Sequence, residues 1–155
     1  MNDTPPWLTP AQQHAWRTFV RLHQGLDATL VRDLQAHSTL SGADYEILVA
    51  LTDVPAGRRS FSDLAEAVEW EQSRLSHQIT RMARRGLVAR DSSAEGGRGR
   101  SVSLTPAGRR AIEAAAPRHA AMVRRLVVDA LTPDELATLG LICERILDHM
   151  DDVSR

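Results

Sequence analysis

A chain of 155 residues with 43% apolar and 25% charged side chains has the length of an ordinary domain and enough apolar material for a core, which excludes wholesale disorder. No apolar run nears the roughly 18 residues of a membrane span, the first residues lack the basic-then-apolar order of a secretory leader, and the single Cys rules out an internal disulfide or a zinc ribbon; a cytoplasmic protein is expected. The net charge is −1, from 20 acids and 19 cations, and every cation is arginine.

The first helix is expected over 10–36. Thr9 before Pro10 supplies a capping hydroxyl and Gln12 completes a capping box. Trp16, Phe19, Val20, His23, Leu26, Leu30 and Leu34 then recur at helical spacing, and a helix this long reaches beyond one compact domain. A second helix follows Ser41-Gly42-Ala43-Asp44, with Tyr45, Leu48, Val49 and Leu51 as its stripe, and Pro55-Ala56-Gly57 ends it. A short strand over 58–61 and a short helix over 62–68 come next, the helix turning Leu64, Ala65 and Val68 inward.

The helix predicted over 72–85 is closed by Gly86 as a C-terminal cap. Leu75, Ile79 and Met82 share one face; Ser73, Arg74, His77, Arg81 and Arg84 share the opposite one, with Ser76 and Gln78 on the flanks. Residues 87–90 and 101–104 alternate as strands around Glu95-Gly96-Gly97-Arg98-Gly99-Arg100, a hairpin with a glycine-rich tip. Thr105-Pro106 starts a helix expected to reach 130, and Pro117 inside it removes a backbone donor and predicts a kink near Glu113. Thr132-Pro133, boxed by Glu135, starts the last helix, expected to reach 150. Its stripe is Leu136, Leu139, Ile142, Cys143, Ile146 and Met150, so Cys143 reads as a core residue.

The arginines are unevenly spread. Between Gln72 and Arg110, nine arginines stand against two acids, Asp91 and Glu95, for a net +7, and the rest of the chain carries −8. A basic segment in a near-neutral chain is the footprint of a polyanion partner. It coincides with a short helix, a tight turn, a basic amphipathic helix and an Arg-tipped hairpin. The expected fold is therefore mainly α with a small β wing: a winged helix-turn-helix between long N- and C-terminal dimerisation helices.

The expected partner is double-stranded DNA, because a helix fits the major groove. Gln72, Ser73, Arg74, Ser76, His77, Gln78 and Arg81 are the candidate recognition-helix contacts: Arg pairs with guanine, Gln with adenine, and Ser with bases or phosphates. In the wing, Arg98 between glycines is the candidate minor-groove contact, with Arg100 beside it. Arg84, Arg85 and Arg90 are candidate phosphate ligands. Arg81 in a structural ion pair, and Arg109 as an internal brace, are the alternatives at those positions.

The ordered set Asp63-Leu64-Ala65-Glu66, Gln72-Ser73-Arg74-Leu75-Ser76, Arg81-Met82, Arg85-Gly86-Leu87-Val88-Ala89-Arg90 and Val102-Ser103-Leu104-Thr105-Pro106-Ala107-Gly108-Arg109 resembles the MarR-type bacterial transcriptional regulators. The resemblance implies a single domain over 1–155, with a winged helix-turn-helix at 41–104 and helical dimerisation segments at 8–38 and 105–152. It also implies a homodimer that presents two recognition helices and two wings to an inverted-repeat operator. Members commonly repress genes and many are relieved by small, often phenolic, ligands, so a repressor with a small-molecule effector is expected. The family wing carries an Asp that braces its Arg, and here that position is Gly96, with Glu95 adjacent.

Two competing functions are a protein-interaction module, in which the basic block meets an acidic partner, and a redox- or metal-responsive sensor on the same scaffold. Trp16, Phe19, His23 and Tyr45 are either effector-pocket or packing residues. The six His, at 14, 23, 37, 77, 119 and 149, show no i, i+3 or i, i+4 pair. No nucleophile elbow, phosphate loop or paired acid–base motif is present, so no metal, cofactor or enzymatic activity is expected.

Overall fold

The helix starts are set by side-chain caps. In the computed structural model, which describes residues 7–91 and 100–153, Thr9 Oγ1 accepts the Gln12 N–H and the Gln12 side chain accepts the Thr9 N–H, opening α1 (Pro10–His37). Ser41 and Asp44 repeat this arrangement at the head of α2 (Gly42–Thr52). Strand β1 (Arg58–Ser60) leads directly into α3 (Phe61–Ala67), capped by Ser60. Next come α4 (Gln72–Arg84), β2 (Val88–Asp91) and β3 (Ser101–Leu104). The three strands form one antiparallel sheet in the order β1-β3-β2, with Arg59 opposite Val102 and Arg90 opposite Val102 on the other side. The chain continues through α5 (Pro106–Leu126), a 3-10 turn at Val128–Ala130 and α6 (Pro133–Val153).

The chain divides after Pro117 into two compact units. The first has its core where α2, α3 and α4 meet the sheet. Ile47, Leu48 and Leu51 of α2, Leu64 of α3, Leu75, Ile79 and Met82 of α4, and Val102 of β3 are all fully buried. Each contributes about 1.5–3 kcal/mol of burial, which holds α4 against α2 and α3 by its apolar face and leaves the other face to solvent.

The junction between α4 and the wing is tighter still. Gly86 takes φ +73°, a left-handed conformation that costs glycine nothing. The Gly86 N–H then bonds Ala83 O at 3.0 Å and the Leu87 N–H bonds Met82 O at 3.0 Å, which is a Schellman cap. Thr105 Oγ1 donates toward Gly86 O and Leu87 O at 2.6 and 3.0 Å and accepts the Gly108 N–H at 3.0 Å. A Cβ on Gly108 would lie 2.0 Å from Leu87 O, so only glycine fits there.

In the second unit, Thr132 and Glu135 form the expected cap of α6. Here two expectations fail. The helix expected to reach 130 ends at Leu126, and the 3-10 turn takes up the remainder. No residue of α6 is buried, and Cys143, expected inside, is exposed. Leu141, Ile142, Ile146, Leu147 and Met150 are all exposed as well, as are Trp16, Phe19 and Leu22 on α1 in the first unit. Of these, Trp16, Phe19, Ile142, Ile146 and Met150 belong to the apolar stripes expected from periodicity. No helix among the described residues is long and apolar enough to cross a membrane.

Candidate nucleic-acid interface

Packing of Leu75, Ile79 and Met82 into the core turns Gln72, Ser73, Arg74, His77, Arg81 and Arg84 to solvent, with Ser76 half-buried beside them. Glu71, at the head of α4, makes no side-chain cap. The leading turn of α4 opens on a groove lined by Ser60, Phe61, Ser62, Gln72, Ser73, Ser76 and Arg100. The structure thus brings the head of the recognition helix together with the returning wing strand. Hydroxyls, an amide and a guanidinium share one surface, a donor set suited to phosphate and base edges. Arg98, the wing-tip candidate, lies outside the described residues.

Two predicted contacts sit elsewhere. Gln78 is 4% exposed, and its Nε2 donates to Asp44 Oδ1 at 2.7 Å, while its Oε1 accepts from Arg81 Nη2. Arg85 donates from Nη1 to Asp44 Oδ2 and from Nη2 to Thr39 O, both at 2.6 Å. The reason is helical phase. Positions 75, 78, 82 and 85 follow one row at i, i+3, i+7 and i+10, so Gln78 extends the inward stripe toward α2 and Arg85, exposed at the end of the row, reaches Asp44 from its edge. Gln78 is thus an interior hydrogen-bonding residue, and Arg85, although exposed, is anchored to α2 through Asp44. Among the described residues Arg81 makes no ion pair, and its guanidinium donates to the Gln78 amide oxygen.

Asp44, which sequence reasoning passed over, is the hub. It is fully buried and accepts from Ser41 N at 2.8 Å as well as from Gln78 and Arg85. Burial disfavours its charge, but the Ser41 backbone bond, the Arg85 bond and charge, and the Ser41 hydroxyl outweigh it and hold the carboxyl below the usual carboxylate range.

The remaining arginines divide by what they touch. Arg74 lies over the Trp70 ring, 3.8 Å from its centroid. Arg90 Nη1 donates to Thr80 Oγ1 at 3.0 Å, tying β2 to α4. Arg58, outside the predicted set, braces the wing root through Ser101 Oγ at 2.9 Å and Asp91 Oδ2 at 2.8 Å. Arg109 faces Glu113 at 4.0 Å, an exposed pair. Arg84 and Arg100 are exposed and meet no side-chain acceptor among the described residues. Among the described residues no group of three or more His, Cys, Asp or Glu is placed to hold a metal.

A model of the winged helix DNA-binding domain matches residues 40–108. AbsC, a MarR family transcriptional regulator from Streptomyces coelicolor, is 40% identical over 96% of this chain and 99% of its own, with a TM-score of 0.89. Sco3205, a MarR family transcriptional regulator from the same organism solved in complex with DNA, is 33% identical over 96% and 92%, with a TM-score of 0.88. A MarR family regulator from Silicibacter pomeroyi shares the fold at 22% identity, over 97% and 99% and with a TM-score of 0.75. No curated protein matches. The likeness to AbsC runs through nearly the whole of both chains, and the protein belongs to the MarR family of transcriptional regulators, not to an enzyme family.

Proposed function

We propose that the protein is a homodimeric repressor that binds an inverted-repeat operator, with α4 in the major groove and the wing in the minor groove. The observation that carries this reading is the bare polar face of α4, from Gln72 to Arg84, continuous with Arg100 across the groove at the wing root. The DNA complex of the 33% identical Sco3205 supports it. Ser73, Arg74, Ser76 and His77 face base edges, Gln72 and Arg81 flank them, and Arg98 enters the minor groove. Arg84, Arg90 and Arg100 take phosphates. The helical segments 8–38 and 105–152 form the dimer, and their bare apolar faces are buried against the second copy. A small-molecule effector that relieves repression belongs to the same reading.

The test is a random-duplex selection with purified protein at roughly 150 mM salt, where charge-only binding is largely screened. An inverted repeat with half-sites about one DNA turn apart is expected. With Arg85 held by Asp44, three arginines per protomer remain for phosphates. Six contacts per dimer give a slope of log K against log salt of about −5, whereas counting Arg85 would give about −7. Recovery of no sequence preference overturns the operator reading, and capture of an acidic protein in its place would favour the interaction-module alternative.

A further inference from the structure

Trp70 has no role in the interface as described so far, yet its surroundings are built with care. It is 8% exposed, and its backbone N–H bonds Ala65 O at 3.0 Å. The residue before it, Glu69, has φ +53°, the single non-glycine left-handed residue among those described. This turn brings the indole to the foot of α4, where its face carries the Arg74 guanidinium at 3.8 Å. Glu46 of α2 adjoins the same pair: burial pushes its carboxyl up, and the Arg74 charge and the Trp70 side chain pull it back.

A guanidinium stacked on a ring keeps its N–H donors in its own plane, clear of the ring. Arg74 is exposed on the reading face, and among the described residues its donors meet no acceptor. Stacking therefore restricts the rotamers of Arg74 without consuming its hydrogen bonds, which is the requirement for bidentate recognition of a base edge.

We propose that Trp70 is the positioning residue for Arg74, and that the Trp70–Arg74 stack sets base specificity at the operator position Arg74 reads. The proposal rests on the DNA-binding reading above. It predicts that Trp70→Leu lowers discrimination at one base pair per half-site at least tenfold, with other positions and non-specific affinity unchanged. Trp70→Phe, which keeps a ring face, retains most of the discrimination. A general loss of structure would weaken every position together and would not be rescued by Phe alone at one of them.

A spectroscopic arm covers the case in which Trp70→Leu does not fold. With Trp7 and Trp16 replaced by Phe, Trp70 is the only indole of the chain. Its emission should change on operator binding, and Arg74→Ala should abolish that change. An operator response that survives Arg74→Ala overturns the proposal, as does an unaltered base preference in Trp70→Leu when the native protein selects a clear operator. If the native protein selects no sequence, the DNA-binding reading fails and this one with it.

Discussion

Asp44 satisfies Ser41, Gln78 and Arg85 at once, with both carboxylate oxygens engaged and no exposure. Asn in its place keeps one acceptor oxygen and sets an NH2 where the other stood, so either the Gln78 amide or the Ser41 N–H and Arg85 face a donor, and Arg85 loses its counter-ion. Asp44→Asn should therefore cost about 2–3 kcal/mol at neutral pH, below the full range for a broken buried pair because Arg85 is partly solvated. The pH dependence has a definite sign. The folded carboxyl is held below its usual value, so its contribution is complete above an unfolded pKa of about 3.9 and is lost as pH falls through the folded one. The stability gap between the native protein and Asp44→Asn, measured by urea unfolding, should narrow on going from pH 7 to pH 3.5; a constant gap would remove the carboxylate from the account. This network was only half legible beforehand. The spacing of α4 put Gln78 on the flank of the apolar face, within reach of the interior it joins, but gave no sign that Arg85 would turn to α2. The identity of the acceptor was not written there, because Asp44 is 34 positions from Gln78 and only the packing of α2 on α4 brings them together. The surface residues Ser73, His77 and Arg84 were legible for the opposite reason, since amphipathicity alone decides which side of a packed helix stays wet.

The elements themselves were legible wherever a local signal decides them. Thr9 with Gln12 and Thr132 with Glu135 cap their helices as the capping-box pattern requires. Gly86 ends α4 through its left-handed φ, and the two hairpin strands pair antiparallel as their alternation implied. The far end of α5 was misjudged because Val127 to Ala130 carries no Gly or Pro stop signal, and the helix gives way to a 3-10 turn ahead of the Thr132 cap. What the sequence motif Leu104-Thr105-Pro106-Ala107-Gly108 means physically is visible only in three dimensions. Thr105 bonds the backbone of Gly86 and Leu87, and Gly108 lets α5 lie against Leu87 O, so the wing root, the end of α4 and the start of α5 are locked at one point. Gly108→Ala drives a methyl to 2.0 Å from a backbone oxygen that has no freedom to move away. The expected cost is about 3 kcal/mol, at the upper end for overpacking, read as a lowered urea midpoint with unchanged slope. Gly140→Ala, where an added Cβ meets nothing within 4 Å, is the control and should be neutral or slightly stabilising. Equal behaviour of the two variants would mean that the junction tolerates separation.

At the scale of the whole molecule the unresolved demand is apolar surface. A 21-residue helix with no buried residue gains little from burial, and propensity alone leaves such a helix marginal in water. Large apolar side chains stand exposed on α6 and, separately, on α1, and bare apolar faces of this kind mark interaction surfaces. Hydrophobic spacing identifies such a face but cannot distinguish a core within one chain from a core shared between two, which is why Cys143 was read as interior. A second copy of the chain is the cover we propose, and in a two-fold dimer every interface substitution counts twice. Phe19, 50% exposed on α1, and Ile146, 46% exposed on α6, test the two faces separately. Ile146→Glu should raise the dimer dissociation constant at least 100-fold, near 2.8 kcal/mol, because two carboxylates would have to be desolvated or the interface opened. Phe19→Glu should do the same if α1 shares the interface, while the core around Leu48, Leu64 and Ile79 keeps each reading head folded. Sedimentation at micromolar concentration should then report one chain instead of two. Operator affinity should fall further than either half-site accounts for, since a monomer loses the effective concentration that links the two recognition helices. A native protein that sediments as a single chain while it still selects an inverted repeat would mean that DNA, not the bare faces of α1 and α6, brings the two copies together.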